Sequence, residues 1–416
     1  KYIFAFKLID DQKKEILLKN EIIEQKDGII KNLLKPNFND ELIFKSKLLS
    51  FSNKNYRQIL LNEDLNFKKY EFLDGFYSGI NKFYPGSGYL DFYFDKLLIL
   101  SSRGILAYES KSEENIKNFK QIKNNIEKFI NDKQFVKKRW FSLKDLLIHN
   151  DNIFVSYTEE IKENCWNTSL LRADMNFDEI IFEKVFSSDK CIHSKNNLDN
   201  EFNAHQSGGR IFSLNENNIL LSTGDYRSRF LAQDEKSLNG KIIKININNY
   251  EYKIISKGHR NPQGLFYDNE NDFILSTEHG PLGGDEINLI KLNLNNIQNF
   301  GWPLASYGEH YSDPNKIKIK KYPLMKSHKN NGFIEPLKYF VPSIGISEII
   351  KIDKKNYVAS SLKDKSLYFF GLNEKNKIVD LKRIQVFERV RDLIFKNKKL
   401  YLFLENTPSL GIIEIR

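Results

Sequence analysis

Six times along this chain a short apolar strand ends in serine, threonine or glutamate at a polar or glycine-rich turn, and a second apolar strand follows. The leading strands cover residues 97–102 (LLILSS), 153–158 (IFVSYT), 219–223 (ILLST), 273–277 (FILST), 357–361 (YVASS) and 400–405 (LYLFLE). Their followers read ILAYES, SLLRADM, GKIIKINI, EINLIKL, SLYFFGL and GIIEIR. Alternation within the runs suits half-buried strands of antiparallel sheets. Units of three or four strands, repeated roughly every 40–80 residues, predict an all-β, six-bladed β-propeller. A β-sandwich accounts less well for the regular copy number.

Two stretches stand outside this pattern. Apolar pairs at 16–17, 22–23, 29–30 and 33–34 recur near a helical period, weakened by Gly28 and stopped by Pro36. Residues 1–75 are therefore expected to form a partly helical N-terminal extension, with the propeller over 76–416. A second, short helical insertion is expected at about 112–131. Ser112 is its N-cap, and Ile116, Phe119, Ile126 and Phe129 share a face.

Composition narrows the setting. The chain has 416 residues, of which 40% are hydrophobic and 13% aromatic, enough for a substantial core. Its net charge of +10 comes mostly from evenly scattered lysines, which does not point to a nucleic-acid partner. No run approaches the ~20 apolar residues of a membrane span. A start at Lys1 leaves room for a removed signal peptide or a membrane anchor outside this chain. Cys165 and Cys191 are the two cysteines, and pairing them implies an oxidising, extracytoplasmic compartment.

The special residues follow from strand direction. In an antiparallel pair, the start of the first strand and the end of the second lie at one edge. His205 precedes RIFSL and Asp225 follows ILLST; Arg260 and Asn261 precede GLFY, and EHGP follows FILST. Ser343 precedes a strand whose partner runs on to Lys363, and Arg389 and Arg391 precede a strand paired with LYLFLE. Four successive blades thus send polar residues to one face, near the axis. There His205 and Asp225 offer a base and a carboxylate. Lys363, Arg389 and Arg391 form a cluster for a polycarboxylate or phosphate. The loop at Gly280 and Pro281, with Gly283, Gly284, Asp285 and Glu286, offers carbonyl oxygens to a hard cation such as calcium. Each signal alone also fits a structural histidine, a turn cap or a solvated face, and their joint placement favours a site.

The motifs HQSGGR, GHRNPQG, EHGPLGGDEINLI and NFGWP resemble the soluble aldose sugar and glucose dehydrogenases that use pyrroloquinoline quinone, which are calcium-dependent six-bladed propellers of the bacterial periplasm. The resemblance is strong over residues 204–311 and continues more thinly to the C-terminus. It implies that His205 is the general base for the sugar C1 hydroxyl, with hydride passing from C1 to the quinone and Asp225 steadying the imidazolium. It also implies that Arg260 stabilises charge developing on the quinone oxygen, that Asn261 binds its ring, and that the Gly280 and Pro281 carbonyls hold calcium. Asp285 would be a further polar site residue, while Ser343, Lys363, Arg389 and Arg391 would grip the cofactor's carboxylates. An aldose substrate and an external electron acceptor are the implied partners. First-blade motifs are not recognisable before Tyr89, and the sugar-pocket loops do not match well. A cofactor-free propeller that binds glycan or protein is the alternative, and a calcium lactonase is a third reading.

Overall fold

The computed structural model describes residues 56–415, apart from 63–64, 72–76, 82–83, 103, 113–116, 131–141, 293–295 and 312–314. The expected helical pattern over 16–34 lies outside the described residues.

Six antiparallel blades make a six-bladed β-propeller. Their first strands are Gly88–Tyr93, Leu143–His149, Gly208–Asn215, Pro262–Asp268, Ile346–Lys351 and Val390–Lys396, which define blades I to VI. Each first strand packs against that of the next blade, and the sixth packs against the first, closing the ring. The second strands coincide with the six leading repeats of the sequence, from Lys96–Ser101 in blade I to Lys399–Leu404 in blade VI.

Burial explains why these middle strands read as nearly continuous apolar runs. In blade III, Ile219 and Leu221 face blade II and pack with Leu147, Phe154 and Leu170. The intervening Leu220 faces blade IV, against Leu265, Ile274 and Ile290. Both faces of the strand are core, so alternation decides which neighbour a side chain meets rather than whether it is buried.

Two segments depart from the expectations. Where a helix was expected, Lys117–Asn124 is the fourth strand of blade I, followed among the described residues by a 3-10 turn at Ile126–Lys128. Ile122 pairs with Leu106 there, and ladder pairing outweighs a helical spacing that rests on four apolar residues. Leu65–Glu71, within the expected extension, is a blade VI strand pairing with Ser409–Glu414. Tyr56–Asn62 pairs with it in turn. Phe67 is fully buried in the core between blades V and VI, where a Cβ on Gly411 would lie 2.4 Å from its ring. Glycine at 411 makes that close approach possible.

Cys165 and Cys191 form a disulfide bond across a separation of 26 residues. By loop-closure entropy it contributes roughly 3.5 kcal/mol. Around the axis, carboxylates on the first strands tie neighbouring blades together. Asp91 accepts the Ile148 N–H at 2.5 Å, Asp145 that of Ile211 at 2.7 Å, and Asp392 that of Leu90 at 2.6 Å. Glu348 accepts the Leu265 N–H at 3.1 Å. These staples hold the strand tips that carry the site. Among the described residues no helix is long and apolar enough to cross a membrane.

Candidate active site

A cavity of about 690 Å³ opens at the end of the axis where the first strands begin. His205, Arg260, Asn261, Gly280, Pro281, Asp285, Ser343, Lys363, Arg389 and Arg391 all line it. Asp225 does not; it is fully buried behind the wall.

His205 sits on a one-turn 3-10 helix, Ala204–Gln206, whose N-cap Asn203 accepts the His205 backbone N–H at 2.9 Å. Among the described residues its ring makes no hydrogen bond. Burial, then the positive charges of Lys144 and Arg391, hold its pKa down to about 3 against the opposing pull of Glu405. The imidazole is therefore neutral at physiological pH, as a proton acceptor must be.

Asp225 meets other partners than His205. Its carboxylate accepts the Trp302 indole N–H at 2.7 Å and the Arg227 backbone N–H at 2.9 Å. Burial raises its pKa against the pull of Arg260. Gln206, the neighbour of His205 in the chain, meets it instead. With the amide turned to satisfy both ends, Gln206 donates to Asp225 at 3.1 Å and accepts from Arg227 and Arg260 at 3.1 and 3.0 Å.

Arg260 donates to the carbonyls of His279 and Gly280 at 2.9 and 2.6 Å, and its guanidinium lies 5.3 Å from the Trp302 ring centre. Asn261 Oδ1 accepts the Gly208 N–H at 3.1 Å. The loop that follows is very tight. A Cβ on Gly280 would lie 2.2 Å from the Gly284 carbonyl oxygen and 2.3 Å from that of Gly283, so only glycine fits. Asp285 is a clasp. It accepts from Gly280 N at 3.1 Å, Ser343 Oγ at 2.6 Å, and the N–H groups of Gly345 and Ile346 at 2.6 and 3.1 Å. With its oxygens so occupied, Asp285 joins the loop to blade V rather than presenting a free carboxylate.

The cationic side is anchored by a residue that the strand-tip reasoning left out. Glu405, buried, accepts from Arg389 Nε at 3.0 Å, Arg391 Nε at 2.6 Å and Ser87 Oγ at 2.8 Å. Burial works to raise its pKa, but Arg391 and Arg389 outweigh burial and lower it. Below them Arg210 forms the floor. It pairs with Asp145, Glu348 and Asp392 at 2.9, 2.9 and 2.6 Å. Lys144 completes the wall from blade II. Glu405 ends LYLFLE, and Tyr89 and Lys144 open the first two blades. The same edge rule, carried round all six blades, reaches all three.

The model of the Glucose / Sorbosone dehydrogenase family matches residues 141–410. The chain belongs to that family. It is 28% identical over 226 residues to an aldose sugar dehydrogenase of Escherichia coli, covering 49% of this chain and 58% of that one. It is 39% identical over 90 residues to quinoprotein glucose dehydrogenase B of Acinetobacter calcoaceticus, covering 21% of this chain and 18% of the other. It also matches an uncharacterised Synechocystis protein at 30% identity over 216 residues, 45% of this chain and 50% of that protein. The first two curated relatives in sequence are thus matched over about half their own length. In fold, the apo soluble aldose sugar dehydrogenase of Escherichia coli superposes with a TM-score of 0.62 at 20% identity, over 79% of this chain and 96% of that one. The PQQ-bound aldose sugar dehydrogenase of Streptomyces coelicolor gives 0.56 at 18% identity, over 77% and 90%.

Proposed function

We propose that this propeller oxidises the C1 hydroxyl of an aldose sugar to the lactone, using pyrroloquinoline quinone and a calcium ion. The observation that carries the reading is the meeting of a neutral, half-buried imidazole, three cations and a glycine-built carbonyl loop in one cavity. The fit of the cofactor rests on charge. Lys363, Arg389 and Arg391 would take an anion of roughly three carboxylates, since a buried carboxylate left unpaired costs several kcal/mol. Among the described residues no cluster of three His, Cys, Asp or Glu side chains offers a metal site. A calcium ion would accordingly be held through backbone oxygen, with the Pro281 and Gly280 carbonyls the candidates. When bound, the quinone supplies the acceptor for the hydride and the calcium polarises it.

The protein's own residues do the rest. His205 receives the C1 hydroxyl proton on its imidazole, and the resulting imidazolium is stabilised by the Glu405 carboxylate across the site. Arg260, fixed by two carbonyls and flanked by Trp302, presents positive charge where negative charge develops. Asn261 positions the ring from the blade IV tip. Ser343 and Asp285 hold the Gly280 loop in place. The disulfide supports a periplasmic or otherwise extracytoplasmic setting, with an external acceptor removing the electrons.

The test is reconstitution with quinone and calcium followed by turnover of aldoses. His205→Ala is expected to bind quinone as the parent does, with kcat reduced roughly 10²- to 10⁴-fold. A variant that oxidises sugars at the parent rate would remove His205 from the mechanism.

A further inference from the structure

Lys144 stands in the same cavity wall as the base, whose charge state it influences, but the mechanism above gives its ammonium nothing to bind. Its stem lies flat on Gly209, where a Cβ would come within 2.4 Å of Lys144 Cβ. Half-buried, its ammonium makes no hydrogen bond or ion pair among the described residues. Lysine and arginine outnumber acids in the lining by seven to two. Most of those cations already have work. Arg210 is matched by three carboxylates, Arg389 and Arg391 share Glu405, and Arg260 caps two carbonyls. Outside the clamp of Lys363, Arg389 and Arg391, Lys144 and Arg227 are the lining cations with neither a carboxylate nor a backbone carbonyl partner among the described residues. Lys144 and His205 line the same cavity, and the positive charge of Lys144 helps to keep the imidazole neutral.

We infer that Lys144 selects aldoses bearing an anionic substituent, a carboxylate or a phosphate, by pairing its ammonium with that group. The inference rests on reading the cavity as a sugar site, and it concerns binding rather than turnover. Burial and Arg391 bring the Lys144 pKa down to about 7, so the preference is expected to be strong at pH 6 and to fade above pH 8.

Calorimetric titration of the protein, with and without quinone and calcium, would compare glucuronate, glucose 6-phosphate and glucose. At pH 6 glucuronate or glucose 6-phosphate should bind at least about tenfold more tightly than glucose, the size of one charge-assisted hydrogen bond. The better of the two identifies the substituent. Lys144→Gln should bring that ratio close to one, and Lys144→Arg should keep it. Equal affinities in the parent protein would overturn the inference, and so would a preference that survives in Lys144→Gln. A protein that prefers the acidic sugar but oxidises none overturns the oxidation reading alone. One that oxidises sugars but binds charged and neutral ones equally overturns only the role of Lys144.

Discussion

Replacing Glu405 by glutamine keeps the shape of the side chain and removes the one negative charge that two guanidiniums share. Glu405 is 3% exposed, and its partners Arg389 and Arg391 stand at 3.0 and 2.6 Å. Breaking a buried pair by deleting one partner costs about 3–5 kcal/mol, because the other charge stays buried. Glutamine still accepts the Ser87 hydroxyl, which argues for the lower end, about 3 kcal/mol. A propeller of roughly 360 residues unfolding with ~2.1 cal/mol/K per residue has an entropy near 0.75 kcal/mol/K, so Tm should fall by about 4 °C. The sign with pH is fixed by the depressed pKa of Glu405. Its contribution is present above the ordinary carboxylate pKa and lost as pH falls through the folded value. The gap between parent and variant should therefore be full at pH 7 and narrow as pH falls below the ordinary carboxylate range. An anion seated on the two arginines would replace the missing charge, so quinone should raise the Tm of the variant more than that of the parent. Calorimetry at several pH values with and without quinone reads all three effects. A variant melting within a degree of the parent at pH 7 would refute the claim that Glu405 holds the arginines.

Two further outcomes follow from the same geometry. The His205 ring, followed by NMR in the ligand-free protein, should remain neutral down to about pH 3. Because its folded pKa is depressed below the ordinary 6.5, its contribution to stability should fall as pH descends from about 6.5 towards 3. Quinone binding should raise that pKa by offsetting the charge of Arg391, and an unchanged pKa would place the anion elsewhere. Phe67→Ala should cost about 3–5 kcal/mol in urea unfolding, as expected for a fully buried aromatic. A loss under 1 kcal/mol would mean that Leu65–Glu71 does not close blade VI.

What could be read from the chain, and what could not, divides along physical lines. The second strands were legible because they are buried on both faces, leaving apolar runs such as ILLST and FILST that no polar residue interrupts. The convergence of His205, Arg260 and Arg391 was legible because antiparallel pairing fixes which strand ends share an edge. Two errors arose where strand pairing, not local spacing, decides the element. Nothing in LNFKKYE announces that it will meet SLGIIE more than 300 residues later, and Lys117–Asn124 carries a spacing compatible with helix until blade I supplies a partner. Asp225 shows a third limit. Its place after a strand put it at the right edge, but its carboxylate turned to the indole of Trp302, a contact made across 77 residues. The charges that set the electrostatics of the base were present in the sequence on otherwise apolar strands, Lys144 beside Asp145 in SLKDLLI and Glu405 at the end of LYLFLE. A charged residue on a strand buried on both sides must either find a partner or face a cavity. Glu405 does the first with Arg389 and Arg391. Lys144 does the second, which is why the preference of this pocket for acidic sugars should turn on that lysine.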